Sequence, residues 1–363
     1  MRFPAASHRS QASLHPRNLP GRDFPFFFEA LWLAALACLL LGSIASASPI
    51  QWVTVDDTGN AADTLPAGFG AVAISFQIAK YEFTNQQYTD FLNSVAATDT
   101  YSLYNPFMGS DARGGIEQSS GSSGSYSYSV KTNMGNKPVN YVSWFDAARV
   151  SNWYQNGATS SSSTETGAYT LVSGQTTGTA PAVNSGATFY VPTEDQWYKA
   201  AYYKGGGTSA GYWDYATQSD SDPTAVTAGV TGIGSAGSTG NFANYFNTAD
   251  WNSLDGNVTT VGTNGGPSAY GAFDMTGNVF EWNDLTGAAG SLRGLRGGCF
   301  YNEAFSVSSS GSFPFGPSLE GSGIGFRLAG PNAVPEIDPN GLSAVLGLIV
   351  GGLGLLERRR YGR

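Results

Sequence analysis

Two cysteines and two histidines are all that this 363-residue chain offers to thiol or imidazole chemistry. Cys299 follows Arg296-Gly297-Gly298, Cys38 lies in an apolar run near the start, and His8 and His15 come before that run. A histidine-held metal, a Ser-His-Asp triad and a Cys-His dyad each need an imidazole positioned by the fold. None can be assembled from residues downstream of His15. Cys299 without a neighbouring His would be reactive only through local electrostatics, and a small buried core thiol is the simpler reading. Carboxylates are plentiful, but no spacing singles out an acid–base pair of the glycosidase kind. Asn and Asp beside Gly, as in Asp255-Gly256-Asn257 and Gly277-Asn278, suit tight turns unaided. They also carry the hard oxygens that a divalent cation takes.

The two ends of the chain set the compartment in which any such site would work. Arg2, Arg9, Arg17 and Arg22 precede an apolar run that is clearest from Leu31 to Ile44, and Ala45-Ser46-Ala47 follows. This is the three-part layout of a secretory signal, here 1–47, with the mature chain starting at Ser48. A lipoprotein reading at Ala35-Leu36-Ala37-Cys38 is weaker, because the apolar stretch continues past the cysteine. Removal of Cys38 with the signal would leave Cys299 no partner for an intramolecular disulfide. The other end, 331–363, reads Val334-Pro335-Glu336-Ile337-Asp338-Pro339, then the apolar run 342–356, then Glu357-Arg358-Arg359-Arg360. That run is short for a bilayer span, and the Arg cluster is expected to stay cytoplasmic, leaving everything upstream outside. The order resembles the PEP-CTERM sorting signal of bacterial envelope proteins, in a variant with Ile-Asp-Pro after Pro-Glu. The resemblance implies a membrane protease that recognises and removes the tail; a plain membrane anchor is the alternative.

Between Ser48 and Gly330 stand 10 Lys and Arg against 22 Asp and Glu, a net charge of about −12. Phosphate binding needs clustered cations, so a nucleic-acid partner is disfavoured. The chain's 48 glycines and its many Ser and Thr predict short strands and loops rather than long charged helices. The Gly-, Ser- and Thr-rich stretches 119–128 and 157–188 read as surface loops within one domain. Thr84 is placed to cap a helix over Asn85–Val95 with Tyr88, Phe91 and Leu92 on one face. Ser143 is placed to cap a second over Trp144–Tyr154, with Ala147, Ala148 and Val150 inward. Thr193-Glu194-Asp195-Gln196 fits a capping box that opens a third, running through Trp197, Ala200 and Ala201.

These segments, in order, resemble the formylglycine-generating enzyme, or sulfatase-modifying factor, domain. The matching pieces are Tyr81-Glu82-Phe83-Thr84-Asn85-Gln86-Gln87-Tyr88, Pro138-Val139-Asn140-Tyr141-Val142-Ser143-Trp144 and Val191-Pro192-Thr193-Glu194-Asp195-Gln196-Trp197. They continue with Tyr270 to Trp282 (Tyr-Gly-Ala-Phe-Asp-Met-Thr-Gly-Asn-Val-Phe-Glu-Trp), Arg296-Gly297-Gly298 and Gly325-Phe326-Arg327. The resemblance covers 70–329 and implies an α+β fold of irregular, C-type-lectin-like type, with small sheets, few helices and long loops. Read from the residues alone, Trp144, Trp197 and Trp282 are core, and Arg327 closes a buried or semi-buried ion pair.

The resemblance also implies what a catalyst would need. Oxidases of this family convert a substrate cysteine to formylglycine with copper held by a Cys-x4-Cys pair after the Gly-Gly turn, and thiolates suit Cu(I). Aligned on Gly297-Gly298, those positions are Asn302 and Val307, with Cys299 three residues earlier. If the segment continues as a strand, that odd offset aims Cys299 at the face opposite Asn302. A related branch uses iron held by three histidines, and the exported part has none. The family's calcium patterns are matched by Asn244-Tyr245 with Asp255 and Asn257, and by Asn278, Val279 and Glu281; Tyr245, Asn257 and Val279 would give backbone carbonyls. The expectation is an exported, envelope-sorted domain, 48–330, without the oxidase chemistry. It would bind an unidentified surface ligand or protein, with calcium rather than copper as its ion. It would meet the membrane and the sorting protease through its tail. The alternative is a formylglycine-generating oxidase working through an unfamiliar site.

Overall fold

Thr84, Ser143 and Thr193 each cap a helix, and each does so as a full capping box. Thr84 opens α1 (Asn85–Val95), with its side chain accepting from the Gln87 backbone N–H while Gln87 reaches back to Thr84 N. Between α1 and the next long helix lies a single helical turn, α2 (Phe107–Ser110). Ser143 opens α3 (Trp144–Gln155) through Asp146, and Thr193 opens α4 (Glu194–Tyr202) through Gln196. Reciprocal caps satisfy amide groups that a helix start otherwise leaves open. A last single turn, α5, spans Ala304–Val307. The two short helices were not expected, since one turn is too brief to show an apolar period.

The structure, a computed structural model, describes residues 48–66, 68–119, 121–172 and 174–332. The signal reading for 1–47 and the tail from 333 onward, including the apolar run 342–356, lie outside the described residues. Among the described residues no helix is long and apolar enough to cross a membrane.

The strands are short and form small sheets, as the resemblance implied. β1 (Trp52–Val55) pairs antiparallel with β2 (Phe76–Ala79), and β2 pairs on its other side with β11 (Ala329–Pro331), so the two ends of the domain meet on one strand. A four-stranded sheet runs β10 (Ile324–Gly325), β7 (Phe280–Asn283), β8 (Arg293–Arg296), β9 (Phe313–Phe315), with only the β10–β7 pair parallel. β3 (Ile116–Gln118) and β4 (Tyr128–Val130) make a hairpin, and β5 (Thr224–Ala225) runs parallel to β6 (Phe242–Ala243). The long remainder is turn and loop.

Of the two stretches expected as surface loops, 119–128 keeps to that reading at 121–125, which are exposed, and 157–188 departs from it in part. The segment 119–128 is the tip of the β3–β4 hairpin, and Tyr128 at its end is buried. Within 157–188, Ala168, Tyr169, Leu171 and Ala180 are buried, because a loop rich in Gly, Ser and Thr still anchors through its few apolar side chains. The core is aromatic. Trp144, Trp153, Trp197 and Trp282 have no exposed surface, and burying apolar area contributes about 25 cal/mol per Å², so side chains of that size dominate the core. α3 is buried from Trp144 to Tyr154 and threads the main core, whereas α1 buries one face. α4 packs Trp197, Ala200, Ala201 and Tyr202 with Phe76 and Ile78 of β2 in a second cluster.

Candidate functional site

β8 ends at Arg296, whose buried guanidinium is paired with Glu194 at the start of α4 (Nε to Oε1, 2.7 Å). Gly297 and Gly298 follow with φ of +88° and +69°, in the left-handed region that favours glycine. A Cβ on Gly298 would lie 2.5 Å from the Val307 side chain, so the turn also needs glycine for space. The chain therefore leaves the strand direction, and the alternation expected for Cys299 and Asn302 does not apply. The two side chains lie together: Asn302 Oδ1 accepts from the Cys299 amide at 2.8 Å and from its thiol at 2.9 Å.

Cys299 is fully buried, and burial pushes its thiol up to about 12. A thiol held neutral is a poor nucleophile, and a single thiol cannot supply the pair that the expected Cu(I) site uses. Val307, at the other position expected of a copper-binding cysteine, closes α5 as a buried aliphatic side chain. One protonated thiol, one amide and one isopropyl group do not fit Cu(I). Among the described residues no three His, Cys, Asp or Glu side chains converge as a metal set.

The calcium candidates divide. Asn244, Asn257, Asn278 and Val279 come together in a buried polar network. The Asn244 amide group donates to the Asn257 carbonyl (2.9 Å), Thr259 Oγ1 (2.9 Å) and Asn278 Oδ1 (3.1 Å). Asn278 Nδ2 and the Val279 amide in turn donate to the two oxygens of Glu82, at 2.8 and 3.2 Å. Asn244 Oδ1 and Asn257 Nδ2 are buried without a partner. Gly277 lets the strand pass: a Cβ there would lie 2.3 Å from the Asn244 carbonyl oxygen. Glu82 is fully buried; burial, then Asp274 and Glu281, push it well above the usual carboxylate range.

Tyr245, Asp255 and Glu281 are engaged elsewhere. The Tyr245 hydroxyl donates to Pro223 O, and its carbonyl accepts from Thr248 Oγ1. Asp255 is exposed, and its carbonyl accepts from Arg113. Both oxygens of Glu281 are taken, by Arg327 and by Trp197 Nε1. Arg327 thus closes the buried ion pair expected of it. The oxygens around Asn244 suit a hard cation in type, but burial leaves the neighbouring Glu82 carboxyl favouring its neutral form, and Glu281, held by Arg327, does not fit.

Sequence reasoning missed an aromatic rim around the Cys299 turn. Tyr301 in the turn is 45% exposed, Phe305 beyond it 64%, and Phe246, whose amide donates to the Asn302 carbonyl, 57%. Phe107 of α2, 60% exposed, stacks on Tyr141 at 5.7 Å. The Tyr141 hydroxyl donates to Asp111 at 2.6 Å, and its amide donates to Gly321 O. Asn105 donates to Glu320 beside them. Gly323, close to both Cys299 and Tyr301, ties the 320–323 loop to the turn. No local sequence pattern marks these residues, because exposure is decided by which loops meet.

A model of the sulfatase-modifying factor enzyme 1-like domain matches residues 56–331. No curated protein matches the chain. Among solved structures the chain is similar to CarF, at 23% identity over 78% of this chain and 99% of that one, with a TM-score of 0.46. It is similar to Treponema denticola variable protein 1 at 17% identity, over 77% and 95% of the two chains, with a TM-score of 0.45. It is also similar to PvdO from Pseudomonas aeruginosa at 19%, over 78% and 92%, with a TM-score of 0.39.

Proposed function

The chain belongs to the sulfatase-modifying factor enzyme 1-like domain family, and on that premise we propose that it is an exported, envelope-sorted member that binds at the cell surface and does not catalyse cysteine oxidation. One observation carries this reading. Where the oxidases of the family place two thiolates, this chain places Asn302, which satisfies the buried, protonated Cys299, and the aliphatic Val307. Binding is then left to the rim of Phe107, Phe246, Tyr301 and Phe305. Exposed rings flanked by carboxylate and amide groups offer both apolar contact and hydrogen bonds. Export is supported by the three-part layout of 1–47. Sorting is supported by the Pro335-Glu336 tail with its Arg cluster, through which the protein would meet the membrane and a protease before release.

In the same reading calcium is held at the Asn244, Asn257 and Asn278 network, where it would supply positive charge to a buried, acidic part of the core. The unpartnered Asn244 Oδ1 supports this, as does the buried Glu82 carboxyl beside Asn278, whose ionised form a nearby cation would favour. Chelator added to the exported protein should then lower its melting temperature, because a ion bound only by the native state stabilises it by mass action. An unchanged melt would remove calcium from the reading.

The catalytic half is tested by incubating the exported protein with copper, oxygen and a peptide containing Cys-x-Pro-x-Arg, the motif read by the oxidases it resembles. No aldehyde product is expected by mass spectrometry. Turnover that vanishes in Cys299→Ala would overturn the non-catalytic reading.

A further inference from the structure

Ser48, the first residue after the Ala45-Ser46-Ala47 site, has every polar group engaged. Its backbone nitrogen lies 3.1 Å from Asp90 Oδ2, and its hydroxyl donates to the same oxygen at 2.6 Å. Its carbonyl accepts from the Tyr154 hydroxyl at 3.2 Å. The next carbonyl, of Pro49, accepts from Gln87 Nε2 at 3.2 Å, and Gln86 Nε2 holds the second oxygen of Asp90 at 2.9 Å. Asp90, Gln86 and Gln87 stand on α1, and Tyr154 stands on α3. Ile50 and Trp52 pack against the main core immediately afterwards. The docked segment leads directly into β1, and the family match covers residues 56–331.

We propose that Asp90 is the receptor for the α-ammonium group created at Ser48 when the chain is cut between Ala47 and Ser48. The proposal rests on the export reading. Hydrolysis adds water across that peptide bond: hydroxide goes to the Ala47 carbonyl carbon and a proton goes to the Ser48 nitrogen. The new acid ionises, and the new amine takes up a proton. Before the cut, Ser48 N is a neutral amide with one hydrogen. After it, the same atom is a cation with three, still beside a carboxylate already held by Gln86. A charge-assisted hydrogen bond replaces a neutral-donor one at the same spot. Maturation therefore tightens the closure of the N-terminal segment onto α1 without moving it. Asp90 and Tyr154 touch Ser48 directly, and the titratable groups lining the cavity of about 350 Å³ beside Ser48–Gln51 are Tyr81 and Glu82. The Glu82 carboxylate is turned inward to Asn278 and Val279.

The test uses the protein recovered from the envelope. Its N-terminal sequence is read, and the α-amine is then titrated by trace acetylation across pH with peptide-level mass spectrometry. The expected terminus is Ser48, and the expected amine pKa is about 1 unit above the ~7.7–8.0 of an unperturbed α-amine. At pH 8 that corresponds to roughly severalfold slower acetylation than for an unpaired terminus. Asp90→Asn should return the amine to the ordinary range. A terminus other than Ser48 would overturn the cut and the dock together. A Ser48 terminus whose amine titrates normally in the wild-type protein would overturn the dock alone and leave export standing. The wild-type titration decides this even where Asp90→Asn fails to accumulate.

Discussion

The Arg327 guanidinium grips both carboxylate oxygens of Glu281, and neither side chain has any exposure to solvent. The Trp197 indole donates a third hydrogen bond to Glu281 at 2.7 Å, and Arg327 also donates to the carbonyls of Ala79 and Phe273. The pair thus ties β7, α4, the end of β2 and the segment leading into β11. Burial opposes the charge on Arg327, but Glu281, with Glu82 and Asp274 beyond it, leaves the guanidinium holding its proton more tightly than usual. Removing one partner of such a pair strands a buried charge. Arg327→Met should therefore lower unfolding free energy by about 3–5 kcal/mol in urea titrations. The double variant Arg327→Met with Glu281→Leu should recover much of that loss. A single variant as stable as the wild type would mean that water reaches the pair.

The Cys299 thiol should be chemically silent in the folded protein. With burial pushing it to about 12, the thiolate fraction at pH 8 is on the order of one part in ten thousand. Iodoacetamide at pH 8 should leave Cys299 unmodified in native protein and alkylate it fully in urea, read by peptide mass. Rapid native labelling would show that the Gly297-Gly298 turn opens, and would reopen the question of its chemistry.

How much of this was legible in the sequence depended on how local each feature is. The helix starts were, because Thr84, Ser143 and Thr193 need partners only three residues away. The tryptophan core was, because side chains of that size have few alternatives to burial. Strands of two to four residues were not: pairings such as Thr224 with Phe242 are set by a partner far along the chain. The lack of a thiol pair could be read by counting, but the direction of the chain after Arg296 could not. Two positive-φ glycines there defeat the alternation that a strand would impose and set Asn302 beside Cys299. Arg327 was expected in a buried pair, yet Glu281 was assigned to calcium, because nothing in residue types alone says which buried cation a carboxylate meets. The aromatic rim escaped notice for the same reason: the stacking of Phe107 on Tyr141 and the closeness of Gly323 to Tyr301 are set by loops far apart in the chain.

Asp146 should make the protein less stable as pH rises. Burial first, and Glu320 second, push its carboxyl up to about 8, against the opposing pull of Ser143 and Arg149. Its folded pKa is above the ordinary 3.8, so the folded state binds more protons than the unfolded state between about pH 4 and 8. The stabilising contribution is complete below that window and is lost as pH climbs through it. Asp284, raised by burial to about 6, acts with the same sign over a narrower range. Asp146→Asn keeps an oxygen for the Ser143 cap but cannot ionise. Urea midpoints between pH 6 and 8 should fall more for wild type than for Asp146→Asn, and equal slopes would exclude a raised Asp146.

Lys137 should act in the opposite direction. Its side chain is buried, and burial pulls it down to about 8. Nζ donates to Asn133 O at 2.6 Å, Thr231 O at 2.9 Å and Thr260 Oγ1 at 3.2 Å, and lies 4.5 Å from the Trp251 ring centroid. Its partners are carbonyls, a hydroxyl and a ring face, with no carboxylate among its hydrogen bonds. Because the folded pKa lies below the ordinary 10.5, the unfolded state binds more protons at this group between about pH 8 and 10.5, and the Lys137 contribution to stability rises with pH across that window, against that of Cys299, whose unfolded thiol ionises there. Above about pH 10 unfolded tyrosines ionise, while burial holds Tyr154 and Tyr202 protonated in the fold, which reverses the trend. The informative range is therefore pH 7.5 to 9.5. Lys137→Met should lose about 1–3 kcal/mol, since the carbonyls of Asn133 and Thr231 lose their donor. Its midpoints should also fall further behind wild type as pH rises, since the upward Lys137 contribution is gone. Lys137→Arg keeps the charge but must fit a larger head where Gly232 already lies against Lys137 Cε, so it should be destabilised at every pH without the rise. Wild type and Lys137→Met showing parallel urea midpoints from pH 7.5 to 9.5 would mean that the ammonium is not desolvated.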